Sequence, residues 1–131
     1  KKCGKKPSET TVAIQGFGNA GAFFAEIASK RGFRVVAVSD SQGAIFCDGE
    51  SCQIPKIREY KRRFGSLRGN FCQGDTCDFE KMRRERVRVI SNDELLELDV
   101  DILVLAALDG AIHEKNAGKI RARTILELAN G

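Results

Sequence analysis

Short apolar runs alternate along the chain with segments of helical periodicity. TVAIQ (11–15) and RVVAVS (34–39) are rich in β-branched residues, and the second is almost entirely apolar, as strands of a buried parallel sheet are. Between them, residues 18–32 repeat apolar side chains at helical spacing. We expect the inner face of this helix to carry Phe24, Ile27 and Ala28. The order predicts a right-handed βαβ unit.

The rest of the chain continues the alternation after two segments, 41–53 and 65–79, that we interpret as loops. Ser91 and Glu94 form a capping-box pattern, which predicts a helix start. The other predicted elements are helices at 54–64 and 113–120 and strands at 87–91, 101–108 and 124–129. Together they predict an α/β fold of the Rossmann-like, doubly wound type, with a mostly parallel sheet in residues 11–131 and a basic leader in residues 1–10.

Composition narrows the functional classes. The chain has 131 residues, 42% of them hydrophobic, and a net charge of +4 from 22 basic and 18 acidic residues. Much of the excess lies in the leader and in residues 81–88, which we interpret as solvated surface because no aromatic residues are interleaved for nucleic-acid binding. No apolar run approaches the roughly 20 residues of a membrane span, and the start has no apolar signal-peptide core. We therefore expect a cytoplasmic protein without nucleic-acid or membrane partners.

Four of the five cysteines lie in two short segments of similar sequence. FCDGESC (46–52) and FCQGDTC (71–77) each contain a C-x4-C pair around a glycine. These residues, Cys47, Cys52, Cys72 and Cys77, are compatible with a zinc site, with two small disulfides or one larger staple, and with free thiols. The fifth, Cys3, is expected to be a free thiol in the leader.

GFGNAG (16–21) matches the G-x-G-x-x-G spacing of a dinucleotide-binding turn between a strand and a helix. Gly16 would allow the tight turn, Gly18 would let a pyrophosphate approach the backbone, and Gly21 would let the helix pack close to the strand. The free N–H groups of the helix start would face the phosphates. The context predicts a dinucleotide site.

An acid at the end of the next strand indicates which dinucleotide. Asp40 lies 24 residues after Gly16, where a carboxylate can accept hydrogen bonds from the adenine-ribose hydroxyls and repel a 2′-phosphate. This favours NAD, with NADP as the alternative. Lys61 and Arg62 would offset the repulsion if they reached the site, but we interpret both as part of a solvated helix face.

Four segments in order resemble the nucleotide-binding domain of the glutamate, leucine, phenylalanine and valine dehydrogenases. They are TVAIQGFGNAG (11–21), VVAVSDSQGAIF (35–46), SNDELLELDVDIL (91–103) with the following AAL, and IHEKNAGKIRARTILELANG (112–131). The likeness covers the chain from Thr11 to Gly131 except residues 70 to 86. QGFGNAG together with SDS resembles the glutamate branch more than the leucine or phenylalanine branches.

The resemblance implies roles for individual residues. The residues that would cradle the pyrophosphate are Gly16, Phe17, Gly18, Asn19, Ala20 and Gly21. Those that would contact the rest of the cofactor are Asp40 and Ser41 at the adenosine ribose, Ala106 and Ala107 along the nicotinamide half, and Asn130 at the nicotinamide ribose. Two positions depart from the family pattern, since Leu105 replaces a proline and Leu128 replaces a glycine.

The resemblance also implies what the chain lacks. In the family, a lysine that activates water and an aspartate that shuttles protons lie in a separate N-terminal domain that binds the amino acid. His113, the only histidine, opens a predicted surface helix and is not expected to act as a base. We therefore expect an inactive, incomplete piece of a homo-oligomeric NAD(P)-dependent glutamate dehydrogenase. The alternatives are a stand-alone NAD-binding sensor or scaffold with a cysteine redox or zinc element, and a domain of a leucine, phenylalanine or valine dehydrogenase.

Overall fold

The computed structural model describes residues 6–48, 51–107 and 114–128. The strands of its main sheet are β1 (Thr11–Gln15), β2 (Arg34–Asp40), β3 (Gly43–Cys47), β6 (Val87–Ile90), β7 (Ile102–Leu105) and β8 (Thr124–Glu127). A small separate hairpin consists of β4 (Cys72–Gln73) and β5 (Thr76–Cys77). The helices are α1 (Asn19–Lys30), α2 (Ile54–Phe64), α3 (Phe79–Glu85), α4 (Asn92–Leu96) and α5 (Glu114–Ala117). No helix in the described part of the chain is long and apolar enough to cross a membrane.

The main sheet has the order β6-β3-β2-β1-β7-β8. Strand β1 pairs in parallel with β2 and β7, and β7 pairs in parallel with β8. Strand β3 is antiparallel to both of its neighbours, β2 and β6. Five of the six strands therefore run in one direction, and the predicted mostly parallel sheet is confirmed.

Helices cover both faces of this sheet. In β1, Val12 and Ile14 point into a core that includes Ala25 and Ala28 of α1 and Ile57 of α2. The intervening residue, Ala13, points into a second core that contains Leu95 and Leu96 of α4 together with Leu103 of β7. A strand with both faces buried needs apolar residues at every position, which explains the unbroken apolar runs. The doubly wound architecture is confirmed.

The inner face of α1 differs from the prediction. Gly21, Ala25 and Ala28 are buried, whereas Ile27 is 38% exposed. Small side chains allow the helix to pack close to β1 and β2, so the larger apolar residues flank the contact instead of forming it. The prediction was right for Ala28 and partly right for Phe24, which is half-buried and packs against the same core, and it was wrong for Ile27.

Both segments interpreted as loops contain regular structure. Residues 43–47 form β3, which pairs on both sides, and residues 65–79 include a 3-10 turn and the β4–β5 hairpin. The loop interpretation was wrong for β3 because its sequence, GAIFC, is short and begins with glycine, so it shows neither alternation nor a long apolar run. The predicted strands 101–108 and 124–129 are shorter, ending at Leu105 and Glu127 among the described residues.

The four cysteines of the two C-x4-C pairs form two small disulfides. Cys47 pairs with Cys52, joining the end of β3 to the start of α2, and Cys72 pairs with Cys77 across the β4–β5 hairpin. The zinc, larger-staple and free-thiol alternatives do not describe this structure. Residues 6–48, 51–107 and 114–128 contain no group of three or more histidine, cysteine or acidic side chains placed to hold a metal. Cys3 lies outside the described residues.

Candidate functional site

A cavity of about 660 Å³ lies along the carboxyl ends of the parallel strands. It opens beside β1, whose neighbours are β2 on one side and β7 on the other, so the strand order changes direction there. Open α/β sheets bind ligands in such a crevice. Its walls include seven residues singled out from the sequence: Gly16, Phe17, Gly18, Asp40, Ser41, Ala106 and Ala107.

Gly16 turns the chain sharply at the end of β1. Its φ of +103° favours glycine, and a Cβ at this position would lie 2.9 Å from the Cβ of Ala107. The Gly16 N–H donates to the carbonyl oxygen of Ser39, at 3.0 Å. This amide is therefore committed to β2, and the turn is fixed against both neighbouring strands.

The other two glycines of the motif have different environments. A Cβ at Gly21 would collide with the backbone carbonyl of Gly16, which explains why the helix needs glycine there. A Cβ at Gly18 would meet no atom within 4 Å in the described part of the chain, so this backbone is open to a ligand. Gly18 caps α1, and its carbonyl accepts from the Ala22 N–H at 2.9 Å.

The first turn of α1 begins directly after this open backbone. Asn19 and Ala20 are exposed, and the first N–H groups of an α-helix have no intrahelical acceptor. Neither residue is part of the cavity wall, whereas the Phe17 side chain is buried in the core at 5% exposure. The motif thus combines one buried anchor with free amides suited to an anion.

Asp40 ends β2 inside the cavity wall, with its side chain only 4% exposed. Oδ1 accepts from the Gln42 N–H at 2.9 Å. Oδ2 accepts from the Leu67 N–H and from Lys61 Nζ, both at 2.9 Å. The carboxylate therefore already holds three donors of the protein, which the sequence prediction of a ribose-binding acid did not anticipate.

The solvated-face interpretation was wrong for Lys61. Its ammonium group reaches the cavity and forms the ion pair with Asp40, while its side chain remains 37% exposed. For Arg62 the interpretation is confirmed, because that side chain is 72% exposed and pairs with Glu59 on the same helix. Ser41, next to Asp40, is exposed and forms part of the same wall.

The opposite end of the cavity is formed at the end of β7. The Ala106 N–H donates to the Gln15 carbonyl at 2.8 Å, and the Ala107 N–H donates to the Gln15 side-chain oxygen at 3.2 Å. Leu105 is buried, and its carbonyl accepts from the N–H of Leu128 at 2.8 Å. The two departures from the family pattern are thus hydrogen-bonded neighbours. Asn130 and His113 lie outside the described residues.

Six wall residues were not among the predicted site residues: Gln15, Ser39, Lys61, Asn92, Asp93 and Leu96. Gln15 and Ser39 lie at the ends of buried strands, a position that is itself a signal. Asn92 opens α4, and its Oδ1 is shielded from water but accepts no hydrogen bond within the described structure. An orphaned polar atom of this kind is unusual unless a ligand completes it.

Comparison of the sequence with models of protein families shows which family the chain belongs to. The model of the glutamate/leucine/phenylalanine/valine dehydrogenases matches residues 1–131. The chain belongs to this family. The sheet, the crevice and the glycine turn described above are therefore features of a member of this family.

Individual relatives agree with the family match. The chain is 46% identical over 125 residues to the NADP-specific glutamate dehydrogenase of Synechocystis sp., covering 95% of this chain and 28% of the relative. It is 37% identical over 131 residues to the catabolic NAD-specific glutamate dehydrogenase of Bacillus subtilis, covering 100% of this chain and 27% of the relative. The crystal structure of the hetero-hexameric glutamate dehydrogenase of Thermus thermophilus matches with a TM-score of 0.76 and 28% identity, over 98% of this chain and 26% of that one. The chain therefore spans about a quarter of the length of these proteins.

Proposed function

We propose that this chain is the C-terminal NAD(P)-binding domain of a glutamate dehydrogenase, an enzyme that converts L-glutamate to 2-oxoglutarate and ammonia. Glutamate is preferred to leucine, phenylalanine or valine because the relatives at 46% and 37% identity are both named glutamate dehydrogenases. The chain matches 28% and 27% of the length of these relatives. We expect the amino-acid site to lie in other parts of the parent. The parent is expected to be a cytoplasmic oligomer, and this chain alone to be inactive.

The observation that carries the proposal is the open backbone at Gly18. This residue stands at the start of a twelve-residue helix, faces a cavity of about 660 Å³, and leaves room within 4 Å for another group. A pyrophosphate fits such a place because it brings negative charge to the helix start and needs close approach to the backbone. The unpartnered oxygen of Asn92 is a second sign that a polar ligand completes the wall.

The chain's own residues would bind and orient the cofactor. Gly16 to Gly21 would hold the pyrophosphate, the end of β2 would face the adenosine ribose, and Ala106 and Ala107 would leave a flat, uncharged surface along the nicotinamide half. Asn130 would hydrogen-bond the nicotinamide ribose. A bound nicotinamide dinucleotide supplies the hydride acceptor for amino-acid oxidation. The domain's contribution is to present one face of that ring to the substrate.

The test is calorimetric binding of NAD and NADP to the 131-residue chain and to Gly18→Val. We expect a branched side chain at Gly18 to occupy the space of the pyrophosphate and to abolish measurable binding, with the fold retained because no described atom lies within 4 Å. Gly118→Val is the matched control, since Gly118 also has no described atom within 4 Å but lies beside α5, outside the cavity wall. Equal affinity in Gly18→Val and the unaltered chain would contradict the site assignment.

A further inference from the structure

We propose that Lys61 makes the adenosine end of this site a receptor for a 2′-phosphate, so that the chain binds NADP more tightly than NAD. This inference rests on the proposed function, because it concerns the same cofactor site. It reverses the preference for NAD that the position of Asp40 suggests in the sequence. The three observations behind it are the hydrogen bonds that occupy Asp40, the partial exposure of the Lys61 side chain in the cavity wall and the anchoring of α2.

Asp40 is poorly placed to select the 2′-hydroxyl of NAD. Its two oxygens already accept from Gln42 N, Leu67 N and Lys61 Nζ, each at 2.9 Å, and only 4% of the side chain is exposed. A carboxylate discriminates against a phosphate through its charge and its free lone pairs. Here the charge is paired with Lys61 and most of the lone pairs are used inside the protein, so the barrier to a phosphate is largely removed.

Lys61 presents the opposite chemistry to the cavity. An ammonium group has three donors and no acceptor, and one of the donors is directed at Asp40. The side chain is 37% exposed and forms part of the cavity wall, so its remaining donors are within reach of solvent or a ligand. A phosphate is an acceptor with negative charge and matches this group, whereas a hydroxyl gains far less from it. Asp93, the other acid of the cavity wall, is exposed, so water screens its charge.

The position of Lys61 is fixed from both ends of α2. At the start of the helix, Ile54 and Ile57 are buried and the Cys47–Cys52 disulfide joins it to β3. At its end, Gly65 adopts a left-handed cap whose N–H donates to the Lys61 carbonyl at 2.9 Å. The next segment is held by the Leu67 N–H on the same Asp40 oxygen. The ion pair with Asp40 restricts the side chain as well, so Lys61 loses little additional freedom when a ligand binds.

The experiment compares NADP with NAD, and 2′,5′-ADP with 5′-AMP, by calorimetry on the full 131-residue chain. The second pair differs only in the 2′-phosphate and does not depend on the nicotinamide half. We expect each phosphorylated ligand to bind about ten-fold more tightly at low salt, as for a charge-assisted hydrogen bond, with the ratio falling as salt screens the charges. Lys61→Met should bring both ratios to one or below, because the charge of Asp40 is then unpaired and repels the 2′-phosphate.

Lys56→Met is the matched control. Lys56 lies on the same helix but pairs with Glu85 at 3.0 Å and is not part of this cavity wall, so the ratios should not change. If Lys61→Met fails to fold because Asp40 loses its counter-charge, the double variant Asp40→Asn/Lys61→Met removes both charges together and should bind NAD without preferring NADP.

The outcomes separate this inference from the proposed function. NAD binding with NADP bound equally or more weakly would overturn the role of Lys61 and leave the cofactor site standing. An unchanged preference for NADP in Lys61→Met and in the double variant would also overturn it. Failure of the folded chain to bind either dinucleotide or either nucleotide would overturn the proposed function, and this inference with it.

Discussion

Two parts of the cavity wall, the glycine turn and the end of β2, are built in different ways. At the glycine turn, the space for a ligand is set by the backbone alone: Gly16 has a positive φ, Gly21 touches the Gly16 carbonyl, and Gly18 is left open. At the end of β2, where we propose that the adenosine binds, the wall is set by side chains from distant positions, with Asp40 of β2 held by Lys61 of α2 and by the Leu67 amide. The glycine turn depends on the absence of side chains, and the end of β2 depends on their pairing.

This difference separates affinity from selectivity. Backbone groups recognise a feature common to all dinucleotides, since every pyrophosphate needs the same close approach. Side-chain charges distinguish cofactors that differ by one phosphate. Substitutions at the glycine turn should therefore affect the fold or the binding of every cofactor, whereas substitutions at Asp40 and Lys61 should change stability moderately and alter cofactor choice.

The largest effect is expected for Gly21→Ala. A Cβ there would overlap the Gly16 carbonyl and lie 3.4 Å from the Ala106 Cβ, so β1 and α1 would have to move apart. We expect a loss of about 3 kcal/mol in the free energy of unfolding, measured by urea denaturation. Gly18→Ala is the control in the same turn, because its Cβ would meet no described atom within 4 Å and its φ of −80° suits any residue. Equal stability of the two variants would contradict the distinction between these glycines.

Asp40→Ala should have the next largest effect. It removes the acceptor of three donors and leaves the buried Leu67 N–H without a partner. An unsatisfied buried group costs about 1–3 kcal/mol, so we expect the free energy of unfolding to fall by about 2–3 kcal/mol. Asp40→Asn keeps one acceptor oxygen and should lose less. If alanine and asparagine were equally tolerated, the carboxylate would not be the anchor of α2.

Loss of either disulfide should have a smaller effect. Both join cysteines five positions apart, and the chain-entropy relation for so short a loop gives about 2 kcal/mol or less of stabilisation. Cys47→Ser/Cys52→Ser and Cys72→Ser/Cys77→Ser should therefore lower the midpoint of thermal unfolding to similar extents. Only the first pair should also weaken NADP binding, because its disulfide braces the helix that carries Lys61. Equal weakening by both pairs would argue against that coupling.

The same contrast explains how much could be predicted from the sequence. The glycine turn and the capping box of Ser91 and Glu94 depend on neighbouring residues, and both appear as expected. The Lys61–Asp40 pair spans 21 positions and depends on β3, which lies between β2 and α2 and was interpreted as a loop. A contact between two residues that are separated along the chain by an unpredicted strand leaves no local pattern in the sequence. The crevice at the glycine turn was therefore predictable from the sequence, and the pairing of Asp40 with Lys61 was not.

The smallest expected effect is a pH dependence of the free energy of unfolding, and it comes from Tyr60 on α2. Burial, followed by the nearby negative charge of Glu85, raises the pKa of Tyr60 to about 12 from an ordinary value of 10. Because the folded chain holds this proton more tightly than the unfolded chain, its contribution to stability is complete below pH 10 and is lost between about pH 10 and 12. Tyr60→Phe keeps the ring, which packs edge-to-face on Phe71 with centroids 5.4 Å apart, and should show a weaker decline of stability over that interval. Phenolate absorbance of the single tyrosine gives the pKa directly, and a midpoint near 10 in the folded chain would show that α2 does not bury this hydroxyl.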